Sequence, residues 1–246
     1  MLKSLILGEK NGVCTGSAMV YCGDALKVLP SLDQIDLIVT DPPYLLTSGG
    51  CTEGGLHERF GGGGVYGNSG EIVPCDIEWS DFMPLLYGAL KPGNQAYVMC
   101  NNRHVGNMLN SADAAGFGFH NLLVWDKATA TPNRWYMKNC EFTGFFYKTP
   151  AKAINDCGAK QLICCPQVDV TKHPTEKPVA LMRHYIEQSS KPGDVVLDPF
   201  MGSGTTGVAA IQAGRRFIGI EKDERFFSMA SQRIRDAVDS YAPMLF

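Results

Sequence analysis

The segment LIVTDPPY, residues 37–44, ends an apolar, strand-like run in a carboxylate, two prolines and an aromatic ring. Asp41 offers a charged acceptor. Pro42 offers a backbone carbonyl and has no N–H to compete with it, and with Pro43 it limits φ along the corner, so these acceptors are held rigidly at a strand tip. Tyr44 adds an aromatic face on which a flat ring can stack.

A second constellation lies far away in sequence, in DVVLDPFMGSGTTGVAAIQAGRRFIGIEKD, residues 194–223. A hydrophobic strand delivers Asp198, and a turn containing Gly202 and Gly204 then opens a helix, leaving room for a ligand to approach the backbone. The next strand ends at Glu221, 23 residues after Asp198. An acid so placed, at a second strand tip, is suited to accept hydrogen bonds from ribose hydroxyls. The turn is neither GxGxxG nor a P-loop, which disfavours NAD and ATP.

These tips must be positioned by a sheet. Strand-like runs (AMVYC, DLIVT, QAYVMC, HNLLVW, DVVLD, RFIGIE) alternate with amphipathic helical ones (ALKVLPSL, FMPLLYGAL, HVGNMLNSADAAG, VALMRHYIEQSS, TTGVAAIQAG). The rhythm predicts one α/β domain over 1–246 with a doubly wound, mostly parallel sheet. Two regions interrupt it. Residues 45–71 are glycine-rich and read as a mobile loop, with a lid as the functional reading because it starts beside the DPPY corner. Residues 127–172, rich in Lys, Pro, Asn and Cys, read as an irregular insert.

Composition fits a soluble intracellular protein: 45% of the 246 residues are apolar, and no long uncharged apolar run appears. The nine cysteines form no CxxC pair, so neither a metal site nor a disulfide framework is expected. Formal charge is -3, yet residues 127–160 carry a net +4, leaving -7 elsewhere. A basic segment in an acidic chain suits a local polyanion contact, with a solvated charged face as the plain alternative.

DPPY at 41–44 together with DPFMGSGTT at 198–206 resembles the DNA methyltransferases that act on amino groups. With the DPPY motif first and HPTEKP (173–178) just before the glycine turn, the chain is similar to their β group. The resemblance implies a Rossmann-like methyltransferase fold, S-adenosylmethionine as cofactor, double-stranded DNA as substrate and a cytoplasmic, bacterial or phage setting. It leaves a homodimer and a cognate restriction endonuclease open as partners. It also explains the acceptor corner. An exocyclic amino nitrogen is conjugated with its ring and is a poor nucleophile until acceptors hold its hydrogens, as Asp41 and Pro42 can, while the flipped base stacks on Tyr44.

For the cofactor, the resemblance implies Asp24 near the adenine amino group, Thr175 and Lys177 around the methionine carboxylate, and Asp198 beside the methionine ammonium. Phe200 packs against the cofactor, Gly202, Gly204 and Thr205 form the turn, and Glu221 takes the ribose. Asp24 reads equally well as an ordinary helix N-cap. Trp125 and Lys127 resemble a strand-end motif near the target base, against the commoner role of a core tryptophan. In ATPNRWYMKN, Arg134 and Lys138 interleaved with Trp135 and Tyr136 suit phosphate contact and stacking. The DPPY form tilts the expectation toward N6 of adenine, with N4 of cytosine as the alternative and a catalytically silent DNA-binding relative as the contrasting class. Cys75, in VPCD, is a decoy for C5-cytosine chemistry.

Overall fold

The computed structural model of the chain describes residues 3–7, 17–43, 77–131, 136–167 and 176–241. Along them run β1 (Lys3–Leu7), β2 (Ala18–Cys22), α1 (Ala25–Val28), β3 (Ile35–Thr40), α2 (Trp79–Ala89), β4 (Leu90–Cys100), α3 (Val105–Ala114) and β5 (Gly118–Thr131). There follow β6 (Lys138–Tyr147), β7 (Leu162–Cys164), α4 (Val179–Ser189), β8 (Val195–Asp198), α5 (Thr205–Gln212), β9 (Arg216–Glu221) and α6 (Glu224–Ser240).

The strands form one mixed sheet in the order β1-β2-β9-β8-β3-β4-β6-β5-β7. The five central strands β2, β9, β8, β3 and β4 are mutually parallel, and β6 runs antiparallel to both β4 and β5. Leu37, Ile38, Val39 and Thr40 are all fully buried, as expected of a central strand covered on both faces. Removing such an apolar side chain from water contributes about 1.5–3 kcal/mol.

Helices α4, α5 and α6 pack on one face around Tyr185, Ile211 and Ile234, whereas α1, α2 and α3 cover the other around Phe82, Leu86 and Met108. The path from β3 to β4 therefore crosses one face through α2, and the path from β8 to β9 crosses the other through α5. Since β3 and β8 are neighbours, their connections diverge and leave a crevice beyond their C-terminal tips. Asp41 and Asp198 flank that crevice.

Local sequence fixes the element ends. Pro30 follows α1 and turns the chain into a single 3-10 turn, Leu29–Ser31. The Asp81 carboxylate accepts the Glu78 N–H at 2.8 Å at the start of α2. Asp223 caps α6 by accepting the Arg225 and Phe226 amides at 2.8 and 3.3 Å.

The α/β rhythm and the C-terminal βαβ unit are as the sequence predicts. The described part of 127–172 is not an irregular lobe. It supplies β6, whose Phe146 is fully buried against α3 and Phe117, together with the short edge strand β7. Lys, Asn and Cys at 138–140 disguise β6 because that end faces solvent or the site and lacks an apolar alternation. The glycine-rich segment 45–71 lies outside the described residues.

Candidate functional site

Asp198, at the tip of β8, is the structural hub of the crevice. It is 3% exposed, and its Oδ1 accepts the Thr40 hydroxyl at 2.7 Å and the Phe200 N–H at 3.1 Å. Its Oδ2 accepts the Thr206 hydroxyl at 2.7 Å. Burial pushes its carboxyl up to about 6, against the pull of these donors. One acid thus ties together the end of β3, the glycine turn and the first turn of α5.

Glu221, at the tip of β9, joins two loops. Its Oε2 accepts the Gly202 N–H at 3.0 Å and its Oε1 the Asp223 N–H at 2.8 Å. Burial raises its pKa, and these backbone donors work against that rise. Asp24 lies just beyond the neighbouring β2 tip, where the Gly23 N–H meets the Glu221 carbonyl at 2.8 Å. The Asp24 side chain caps α1 by accepting the Leu26 amide at 3.0 Å, so the N-cap reading is realised. Gly202 and Gly204 both have positive φ, 51° and 81°. A Cβ on Gly204 would stand 2.9 Å from the Ala230 Cβ, so its glycine is required by α6 packing. Phe200 is half-buried, edge-on to Phe82 at 5.2 Å.

On the β3 side, Asp41 enters a network of four charges. Its Oδ2 accepts from Lys177, whose ammonium also stands 3.4 Å from Glu141 Oε2, and Glu141 Oε1 pairs with Lys127. Oδ1 of Asp41 is buried and has no hydrogen-bond donor among the described residues. Burial raises the Asp41 pKa, with Lys177 lowering it and Glu141 adding to the rise. Burial also disfavours ionisation of Glu141, but Lys177 and Lys127 together bring its pKa below the usual range. Cys100, at the β4 tip, is pushed up to about 12 by burial and by the charges of Asp41 and Glu141, which leaves a neutral thiol.

The structure therefore brings Asp41, Pro42, Pro43, Asp24, Asp198, Phe200, Gly202, Gly204, Thr205 and Glu221 to one edge of the sheet. Tyr44, Thr175, Arg134 and Trp135 lie outside the described residues, and Lys138 is exposed on the β5–β6 hairpin.

Three of the expected site residues are engaged within the protein. Trp125 is 1% exposed and donates its indole N–H to the Cys165 carbonyl at 2.6 Å, so it is a core residue with no face open to DNA. Lys127, expected near the target base, has its ammonium engaged by Glu141. Lys177, expected at a cofactor carboxylate, has its ammonium between two protein carboxylates. Thr40, Thr206 and Glu141 were not legible as site residues. The second Thr of the TT pair, eight residues after Asp198, was the one available signal.

Among the described residues, no helix is long and apolar enough to cross a membrane, and no cluster of His, Cys, Asp and Glu could hold a metal. Residues 147–232 match the family described as DNA methylase. The type II methyltransferase M.HinfI of Haemophilus influenzae is 31% identical over 96% of this chain and 71% of its own length. M2.DpnII of Streptococcus pneumoniae, also a type II methyltransferase, is 28% identical over 86% of this chain and 87% of its own. The crystal structure of an M1.HpyAVI–SAM complex superposes with a TM-score of 0.68 at 27% identity, covering 88% of this chain and 99% of that one. The order of the strand tips and this extended likeness lead to one assignment: the chain belongs to the DNA methylase family of N6/N4 amino-methyltransferases.

Proposed function

We propose that the protein methylates the N6 amino group of adenine in duplex DNA, using S-adenosylmethionine. The observation that carries the reading is the buried Asp41 Oδ1, an acceptor without a donor, set at the sheet's crevice one residue from a strand hydrogen-bonded to Asp198. A buried carboxylate oxygen left unpaired costs free energy unless a ligand supplies the donor, and an amino group is such a donor.

The donor set fits the cofactor. Glu221 and Asp24 on adjacent tips are acceptors suited to ribose hydroxyls and an adenine amino group, the positive φ of Gly202 exposes backbone, and Phe200 offers an apolar side. When bound, S-adenosylmethionine supplies an electrophilic methyl group. Asp41 Oδ1 holds one amino hydrogen of the target and the Pro42 carbonyl the other, turning the nitrogen lone pair out of conjugation with the ring. Lys177 favours the ionised form of Asp41, and the two prolines keep the corner from relaxing. Tyr44 stacks on the flipped base, Thr175 and Thr205 complete the cofactor side, and Arg134, Trp135 and Lys138 contact DNA from the 127–172 region. Cys100, held as a neutral thiol, is not a nucleophile, in keeping with direct transfer to nitrogen.

The test is transfer of labelled methyl from S-adenosylmethionine to unmethylated duplex DNA, followed by nucleoside analysis. N6-methyladenine is expected. N4-methylcytosine in its place would move the target to cytosine, which the same acceptors serve equally well. No labelled nucleoside from a folded, cofactor-binding protein would overturn the reading for duplex DNA.

A further inference from the structure

Glu141 has no place in the chemistry outlined so far, yet it is built into the site from a strand. Because β6 runs against β4, its first half enters the sheet at the edge where the parallel strands end, and Glu141 precedes Phe142, the partner of Cys100. The glutamate side chain is 17% exposed. Each of its oxygens faces a different lysine: Oε1 pairs with Lys127, and Oε2, buried and without a hydrogen bond among the described residues, stands 3.4 Å from the Lys177 ammonium. The four groups form a chain, Lys127–Glu141–Lys177–Asp41, whose formal charges cancel.

Charge compensation of Asp41 alone needs only Lys177. An ammonium with a single carboxylate partner is free to settle between both of its oxygens. Here the second carboxylate draws Lys177 to one side, and the ammonium engages Oδ2 of Asp41 while Oδ1 stays without a donor. We propose that Glu141 is a positioning residue for methyl transfer: by sharing the Lys177 ammonium with Asp41 it keeps Lys177 on Oδ2 and leaves Oδ1 open to the target amino group. The inference rests on the acceptor role proposed for Asp41.

Neutralising Glu141 then has two consequences. Lys177 closes onto both oxygens of Asp41, which competes with the substrate N–H. The Asp41 carboxylate also loses a neighbouring negative charge that disfavours its ionisation, so its pKa falls. Among the described residues, the charged and titratable groups facing Asp41 are Lys177, Glu141, Lys127, Cys100 and, across Thr40, Asp198. Of these, Glu141 is the one whose removal lowers the Asp41 pKa without touching the cofactor side.

The experiment compares Glu141→Gln, the charge-balanced pair Glu141→Gln with Lys127→Met, and Asp41→Asn. It measures single-turnover methyl transfer between pH 5 and 9, S-adenosylmethionine affinity, DNA affinity and the thermal midpoint, the pH span being roughly that over which a raised carboxyl and the assay both report. Glu141→Gln is expected to slow transfer by about 10²-fold, the scale of a reacting group displaced by about 1 Å, with both affinities within about threefold. The acid limb of its pH profile should move to lower pH. The paired variant should recover thermal stability and remain slow, which separates positioning from a structural role and carries the test if Glu141→Gln alone does not fold. Wild-type rates in either variant, or a slow Glu141→Gln with an unmoved acid limb, would overturn the inference. So would recovery of rate along with stability in the paired variant. Near-normal turnover in Asp41→Asn would instead remove the acceptor reading on which the inference stands.

Discussion

Replacing Thr206 by valine keeps the side-chain shape and takes away the donor that holds Asp198 Oδ2 at 2.7 Å. The two residues are 4% and 3% exposed, so solvent has little access to replace it. A hydrogen bond contributes about 1.5–3 kcal/mol when one partner is charged and about 0.5–1.5 kcal/mol when both are neutral. The cost of the substitution therefore depends on whether Asp198 is ionised.

In the folded protein Asp198 is raised from 3.8 to about 6, so the folded state retains a proton that the unfolded chain releases. Stability falls as pH rises from about 4 to about 6, by roughly 3 kcal/mol at about 1.4 kcal/mol per unit, and the loss is complete above the folded pKa. Without Thr206 the folded pKa climbs by about one further unit, and the decline continues to near pH 7. Urea unfolding of Thr206→Val is then expected to show a loss of about 1 kcal/mol at pH 5 and about 2–3 kcal/mol at pH 8. The thermal midpoint should fall by about 2–4 °C for each kcal/mol in a chain of this size. A destabilisation equal at the two pH values within about 0.5 kcal/mol would refute the assignment of a charged, buried Asp198 held by Thr206.

Asp41→Ala should bind S-adenosylmethionine with unchanged affinity, measured calorimetrically, and lose methyl transfer by at least about 10²-fold; near-normal turnover would remove the acceptor role. Gly204→Ala places a methyl group 2.9 Å from the Ala230 Cβ at a φ of 81°, and urea unfolding should record a loss of about 2 kcal/mol or more. Trp125→Phe leaves the Cys165 carbonyl without its indole donor and should cost about 1–3 kcal/mol of stability while DNA affinity stays constant. A fall in DNA affinity with stability intact would return Trp125 to the nucleic-acid interface.

The parts of the fold legible in the sequence were those in which one physical signal dominates. β3, β8 and β9 are short apolar runs buried on both faces, and a proline or a glycine turn follows each of the first two. β6 was missed because only its second half, with Gly144, Phe145 and Phe146, lies in the core, while its first half carries Lys138, Asn139 and Glu141 out to the sheet's edge. α6 was not read either, although Phe227, Ala230, Ile234, Ala237 and Val238 recur at helical spacing. At the site, acids at strand tips announce themselves. Two of their partners do not, because Thr40 and Glu141 reach the site only through strand order, over separations as long as the 158 residues between Thr40 and Asp198. Trp125 illustrates the opposite failure, since a tryptophan two residues from a lysine at a strand end invites a binding role that its burial argues against.

The β5–β6 hairpin carries a lesson about how such an enzyme can diverge. Its ladder runs without interruption from Asn121↔Phe145 to Asp126↔Cys140, and Glu141 is locked opposite Trp125 within it. A slip of one residue would throw Glu141 to the other side of the sheet, so the paired segment resists insertion. Beyond Asp126 the register shifts before Thr131 meets Lys138, and the chain there presents Tyr136 at 96% exposure. Length and sequence can therefore drift at the tip while the anchored half below stays in step. The hairpin separates a loosely registered end from a tightly paired one, and a change of preference for the surrounding DNA need not retune the acceptor at Asp41.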